Sequence, residues 1–289
     1  MEAINRQTWK QRMASYKRTP LSFLLLVLVT ASALFTVCIL AFLLIYILVK
    51  GIPYLTPSLF AWEYNSENVS LMPALINTIL MTALSLVIAV PLGIFAAIYL
   101  VEYARRGNKI VEIVRITAET LTGIPSIVYG LFGFLLFGVA LKWGYSMLGG
   151  ALTLAIMILP TIIGVVEPAL RAVPRSDYEG ALALGATHER SVYTAVVPAA
   201  RSGILAGVVL GVGRAMGETM AVIMVAGNQP RMPKGILQGV RTLTGNIVIE
   251  MGYAAWLHRE ALIATGVVLF VFILLMNLCF SVLKRGKKA

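Results

Sequence analysis

The chain has 289 residues, of which 59% are apolar and 13% charged, with a formal net charge of +11 and a mean hydropathy of +0.86. Soluble domains carry roughly 25% charged residues, so this composition excludes an ordinary soluble domain and indicates a protein of the bilayer. Five basic residues (Arg6, Lys10, Arg12, Lys17, Arg18) precede the first charge-free run, Thr19 to Val49. That run is about twice the length of a signal-peptide core and has no small-x-small cleavage site, so it reads as a retained first helix over about 21–49. Charge-free runs then follow at Val69 to Val101, Thr120 to Leu141, Trp143 to Val166 and Ala261 to Leu283. Each reaches the roughly 20 residues needed to cross about 30 Å of hydrocarbon. They predict spans over about 72–101, 113–141, 147–168 and 260–283. Ser202 to Gly227, interrupted only by Arg214 and Glu218, supplies another over about 199–227. The expectation is an all-α polytopic membrane protein with six transmembrane helices.

Basic residues set its orientation. Segment 1–20, the loop after the second span, the loop 174–201 and the tail 284–289 hold most of them, while the three opposite loops together hold six. This asymmetry places both termini in the cytoplasm. It also accounts for most of the positive charge, which therefore calls for no nucleic-acid partner. Cys38 and Cys279 lie inside spans, far apart in sequence, and read as small core hydrophobes.

The loop "PRSDYEGALALGATHERSVYTAVVPAARSG", Pro174 to Gly203, carries structural signals. Ser176 and Glu179 have capping-box spacing and predict a helix from about Asp177, ended by Gly185 in a left-handed cap. A second short helix is expected from His188 towards Val196, with Pro198 opening the fifth span. By capping alone, this is either a docking hairpin or an amphipathic helix on the inner leaflet.

The spacing of Glu179, Gly180, Ala181, Gly185 and Pro198 resembles the EAA loop of binding-protein-dependent ABC transporter permeases. Gly180 replaces the usual Ala, and Ala195 a larger aliphatic. The resemblance implies a type I ABC importer permease fold, in which these residues form a coupling helix that docks on a separate ATPase subunit. No GxxxxGKS or GxxxxGKT loop occurs here, and Asp177 is the only aspartate, so the chain encodes no Walker-type Mg²⁺ site of its own. With His188 and His258 the only histidines, and no cysteine cluster, neither a zinc site nor a catalytic triad is supported. The expectation is a transport subunit without enzymatic activity or cofactor.

"PLGIFAAIYLVEYAR" (from Pro91), "ETLTGIPSIVYGLFGF" (from Glu119), "GRAMGETMAVIMVAGN" (from Gly213) and "EMGYAAWLHREAL" (from Glu250) resemble the phosphate-uptake permeases, the PstC and PstA pair. The last two look closer to PstC. The resemblance implies a prokaryotic cell-membrane protein that conducts inorganic phosphate with a homologous second permease, two ATPase subunits and an external phosphate-binding protein. Alternatives are an importer of another oxyanion, such as molybdate or sulfate, or a stand-alone secondary transporter.

Within the fifth span, Gly203, Gly207, Gly211 and Ala215 recur every four residues and predict a face where another helix approaches closely. Arg214 and Glu218 are also four apart. Charges in lipid are costly, so both should face the bundle interior or a wet cavity. Either they pair with each other, or Arg214 meets phosphate on the translocation path while Glu218 holds it in position. Thr120, Thr122 and Ser126 flank Pro125, whose ring frees a carbonyl about four residues back. Their hydroxyls either satisfy that backbone or join Arg214 in lining the path. Glu167 should pair with Arg171, whereas Pro91 and Pro160 read as kinks. The outer loop 228–259 carries Arg231, Lys234, Arg241 and Arg259, either attracting anions or simply solvated. Asn77 and Thr78 give no signal strong enough to rank.

Overall fold

The computed structural model describes residues 20–65, 68–105, 107–252 and 256–285; the expected basic segment 1–20 and tail 284–289 lie largely outside them. Among the described residues all regular structure is helical. The main elements are α1 (Pro20–Gly51), α2 (Met72–Ile98), α3 (Lys109–Gly123), α4 (Ser126–Gly133), α5 (Met147–Arg171), α6 (Arg175–Ala183), α7 (His188–Ser191), α8 (Arg201–Gly217), α9 (Met220–Ala226), α10 (Leu243–Met251) and α11 (Trp256–Arg285). Wide π-type turns extend α2 over Tyr99–Tyr103, α4 over Phe134–Ala140 and α7 over Val192–Val196.

Helix α5 is the axis of the bundle. Leu154, Ile158, Ile162, Val166 and Leu170 recur every four residues along it, and none is more than 2% exposed. It packs against α2 and α8, while α9 lies against both α4 and α5. The peripheral α1 is apolar on every face and buries only Gly51, the form expected of a helix surrounded by lipid. At that glycine it approaches α11 closely: a Cβ there would stand 2.5 Å from Val267 Cγ2.

Among the described residues four helices are long and apolar enough to span a membrane, and the number is six when each of two bent helix pairs is taken as one span. Two of the six expected spans are not straight. The third bends by 103° between Gly123 and Ser126. Pro125 lacks an N–H and disfavours helical geometry at Ile124. The fifth expected span divides into α8 and α9, because Glu218 adopts an extended backbone with ψ 135°. The preceding helical segment, His188–Ala199, meets α8 at 68°, so Pro198 lies before the bend. By contrast, α2 runs through Pro91, and α5 through Pro160 and Pro168.

The glycine face of α8 lies on α5. A Cβ at Gly207 would stand 2.9 Å from Val166 Cγ2, one at Gly211 3.2 Å from Ile162 Cγ1, and one at Gly203 would overlap the Ala169 methyl. Replacing Gly203 by Val should thus force the helices apart and cost about 1–3 kcal/mol. Thermal unfolding of the purified protein should reveal the loss, whereas Gly213→Ala, with nothing within 4 Å of its Cβ, should leave the midpoint unchanged or raised.

Candidate functional site: hairpin, intramembrane arginine and outer segment

Segment 174–201 folds as a helical hairpin at one end of the bundle. Its first helix starts at Arg175 with Pro174 in the N-cap position, earlier than expected. The predicted capping box does not form: the fixed φ of Pro174 sets the start, leaving Ser176 inside the first turn with its hydroxyl 3.5 Å from Asp177 Oδ1. At the other end, Gly185 takes φ +85°. Gly185 N–H donates to the Leu182 carbonyl and Ala186 N–H to that of Ala181, the bonding of a Schellman cap. Thr187 caps α7 through its hydroxyl.

Aromatic contacts bind this hairpin to the bundle. Tyr178 O–H and His188 Nδ1 are 2.8 Å apart, and the His188 ring stands edge-on to Tyr103, 4.9 Å between centroids. Glu179 lines an open cleft of about 900 Å³ between the hairpin and the ends of α2, α3 and α5. Gly180 has open space beside it, Ala181 accepts the Schellman bond, and Leu184 projects at the turn, 92% exposed.

Deeper in the bundle, Arg214 Nη1 donates to Thr161 Oγ1 on α5 at 2.9 Å. Ion pairs among the described residues do not include one between Arg214 and Glu218. The expectation that they lie one turn apart on a continuous helix is corrected by the break after Gly217. Arg214 occupies the last turn of α8, while Glu218 Oε1 turns forward to accept from Ala221 N–H at 3.3 Å, in the first turn of α9. Each charge thus meets the helix end whose dipole favours it, a cation at a C-terminus and an anion at an N-terminus. Arg before Glu is the weaker order for pairing on one helix, but it is the favourable order across a break. The Glu218 carbonyl accepts from Thr244 Oγ1 at 2.9 Å.

Backbone carbonyls take up the threonine hydroxyls near Pro125. Thr120 donates to the Ile116 carbonyl at 2.7 Å and Thr122 to that of Glu119 at 2.5 Å. Leu121, four residues before the proline, has its carbonyl satisfied by Tyr129 O–H at 2.8 Å. Ser126 opens α4 just past the bend. Glu167 pairs with Arg171 at 2.9 Å, as i,i+4 spacing predicts, and also with Arg115 of α3 at 2.7 Å.

At the opposite end of the bundle, the segment after α9 folds back into the protein. Its carbonyls at Gln238 and Ile236 accept from Met147 and Leu148 N–H at the start of α5. Arg241 is neither a solvated charge nor a free anion attractor: it is 5% exposed, 2.7 Å from Glu250 Oε1, donates to Asn246 Oδ1 at 2.8 Å and lies over the Tyr64 ring. Asn77 Nδ2 donates to the carbonyls of Arg231 and Arg241, and Thr78 Oγ1 accepts from Leu243 N–H. Arg231 donates to the Gly239 carbonyl; Lys234 and Arg259 are exposed.

Residues 89–288 match the family model described as binding-protein-dependent transport system inner membrane component. The chain belongs to this family. This permease is 33% identical over 280 residues to a probable ABC transporter permease protein of Bacillus subtilis, YqgH, with 90% of each chain covered. It is 32% identical over 252 residues to the phosphate transport system permease protein PstC of Mesorhizobium japonicum, covering 78% of this chain and 76% of the relative. Its fold resembles that of a bacterial ABC transporter involved in the import of the acidic polysaccharide alginate, at a TM-score of 0.69 and 15% identity, covering 96% of this chain and all of the other. Together with its apolar helices, this membership makes it an integral component of a bacterial inner membrane, and not itself an enzyme.

Sequence reasoning missed Thr161, Tyr129, Arg115 and the Arg241–Glu250 pair of the permease. Only Tyr129 carried a usable signal: a hydroxyl four residues after a span-breaking proline, within reach of the freed carbonyl. Arg241→Ala would leave Glu250 and Asn246 without their buried partner, at a cost of about 3 kcal/mol. Reduced thermal stability and faster proteolysis within 228–252 should report it, with Arg241→Lys intermediate.

Proposed function

We propose that this permease conducts inorganic phosphate across the cell membrane, as one half of a pair with a homologous second permease. Two ATPase subunits bind at the hairpin, and an external phosphate-binding protein delivers the ion at the opposite face. The observation that carries this reading is Arg214, held on Thr161 and not neutralised by Glu218. Its guanidinium fork suits the oxygens of a phosphate, which carries one to two negative charges near neutral pH. The break beside it supports the same reading, because transport sites near the bilayer midplane are typically built where helices are discontinuous. Relatives named as phosphate transport permeases favour phosphate over other oxyanions.

Glu218 then acts indirectly. By capping α9 it fixes the break that presents Arg214, and it leaves the guanidinium available for an anion that must also depart. The hairpin transmits the ATPase stroke. Stiffened by its Schellman cap and the Tyr178–His188 contact, it presents Glu179 to Gly185 and the exposed Leu184 as a lever for a packed bundle to follow.

Arg214→Ala and Arg214→Lys should both abolish phosphate uptake in the reconstituted transporter while copurification with the ATPase persists; normal uptake by the alanine variant would refute the assignment. Excess sulfate or molybdate should compete poorly. At Gly185, where φ is +85°, a change to Leu is strained by about 1–2 kcal/mol and should leave ATP hydrolysis measurable but uncoupled from uptake. Unchanged coupling would exclude the lever role.

A further inference from the structure

Beyond Arg214, towards the hairpin, lies a pair of arginines to which the phosphate path has so far given no task. Arg115 Nε and Arg171 Nη2 both approach the same oxygen, Glu167 Oε1, at 2.7 and 2.9 Å. The carboxylate is buried, its side chain 11% exposed, whereas the arginine side chains are 34% and 50% exposed. One negative charge therefore faces two positive ones. Arg115 Nε, although close, lacks the alignment of a hydrogen bond, and Arg115 Nη2 donates to the Leu100 carbonyl at 3.2 Å. Glu167 thus holds both guanidinium groups in place without occupying all their donors.

These three residues line a cavity of about 290 Å³ between α3 and α5. That is about ten water volumes, room enough for a tetrahedral oxyanion. Glu119 and Thr122 stand on the α3 wall with Arg115, and Glu119 brings the cavity to overall neutrality. On α5, Thr161, Gly164, Pro168 and Arg171 follow one another at spacings of three, four and three, and so share one helix face. The face starts at the residue that holds Arg214 and reaches Arg171 about 15 Å further on. Gly164 leaves its middle bare, with nothing within 4 Å of where a Cβ would stand.

We propose that Arg115 and Arg171, held by Glu167, form a second anion site, which receives inorganic phosphate along the Gly164 face and releases it on the cytoplasmic side. This inference rests on the reading of Arg214 as part of the phosphate path. Glu167 sets the affinity. Phosphate must compete with the carboxylate for guanidinium donors, so it binds weakly and leaves, as conduction through successive sites requires.

The test uses proteoliposomes carrying the chain assembled with its partner subunits, with ATP and graded unlabelled phosphate inside, and follows the initial rate of labelled phosphate uptake. Glu167→Gln keeps the shape and removes the charge. It should lower the internal phosphate concentration that halves uptake by about tenfold, the value of one charge-assisted hydrogen bond. Arg171→Gln should raise that concentration. A merely structural bridge would be weakened by either substitution, so shifts in the same direction, or none, would overturn the proposal. Gly164→Leu, placed where there is room for the side chain, should cut the maximal uptake rate several-fold with assembly intact; unchanged uptake would overturn the route. If Arg214→Ala abolishes uptake while these variants behave as the unaltered protein, the second site fails and the Arg214 reading stands. If the unaltered transporter carries no phosphate, both fail.

Discussion

A guanidinium in hydrocarbon needs a partner within reach, and for Arg214 that partner is on another helix. Thr161 lies 2.9 Å away because α8 packs closely on α5 along the face of Gly203, Gly207 and Gly211. Much of the architecture follows from that contact. With α8 on one side and α2 on another, α5 becomes the buried axis. Its start is capped by carbonyls of the returning outer segment, and its end carries Glu167 and Arg171 towards the hairpin.

The break after Gly217 gives the two intramembrane charges separate tasks. Were α8 continuous, Arg214 and Glu218 would be one turn apart and free to neutralise each other. Instead each sits at a helix end that favours its sign, and the Glu218 carbonyl is taken by Thr244. A cation with a neutral hydroxyl partner in the middle of a bundle can exchange that partner for an anion. One locked in an ion pair would have to break it first.

Long spans were legible in the sequence because lipid acts on every residue of a helix locally: α1, α2, α5 and α11 each contain a charge-free run. Pro125 signalled a disturbance in the third span, although not the size of the bend. Nothing comparable announced the break at Glu218, whose carbonyl is held by Thr244, 26 residues away. Distance also hid the partners of Asn77 and Thr78, which lie 154 to 165 residues along the chain. Arg214 stood out because it interrupts an apolar run, whereas Arg241 looked solvated in a polar loop and is buried only by tertiary folding. Likewise Arg171 followed from i,i+4 spacing, while Arg115 required knowing that α3 lies beside α5. The Ser176 capping box was a false signal: the pattern is present, but Pro174 starts the helix first.

The central claim is that an anion meets Arg214. Gly217, three residues on, is exposed and has open space beside it, so a cysteine there can report on the site once Cys38 and Cys279 are changed to serine. Labelling of Gly217→Cys by a water-soluble thiol reagent, in the assembled transporter, should proceed readily and slow several-fold in the presence of phosphate, with sulfate much less effective. Labelling that phosphate does not alter would contradict the account.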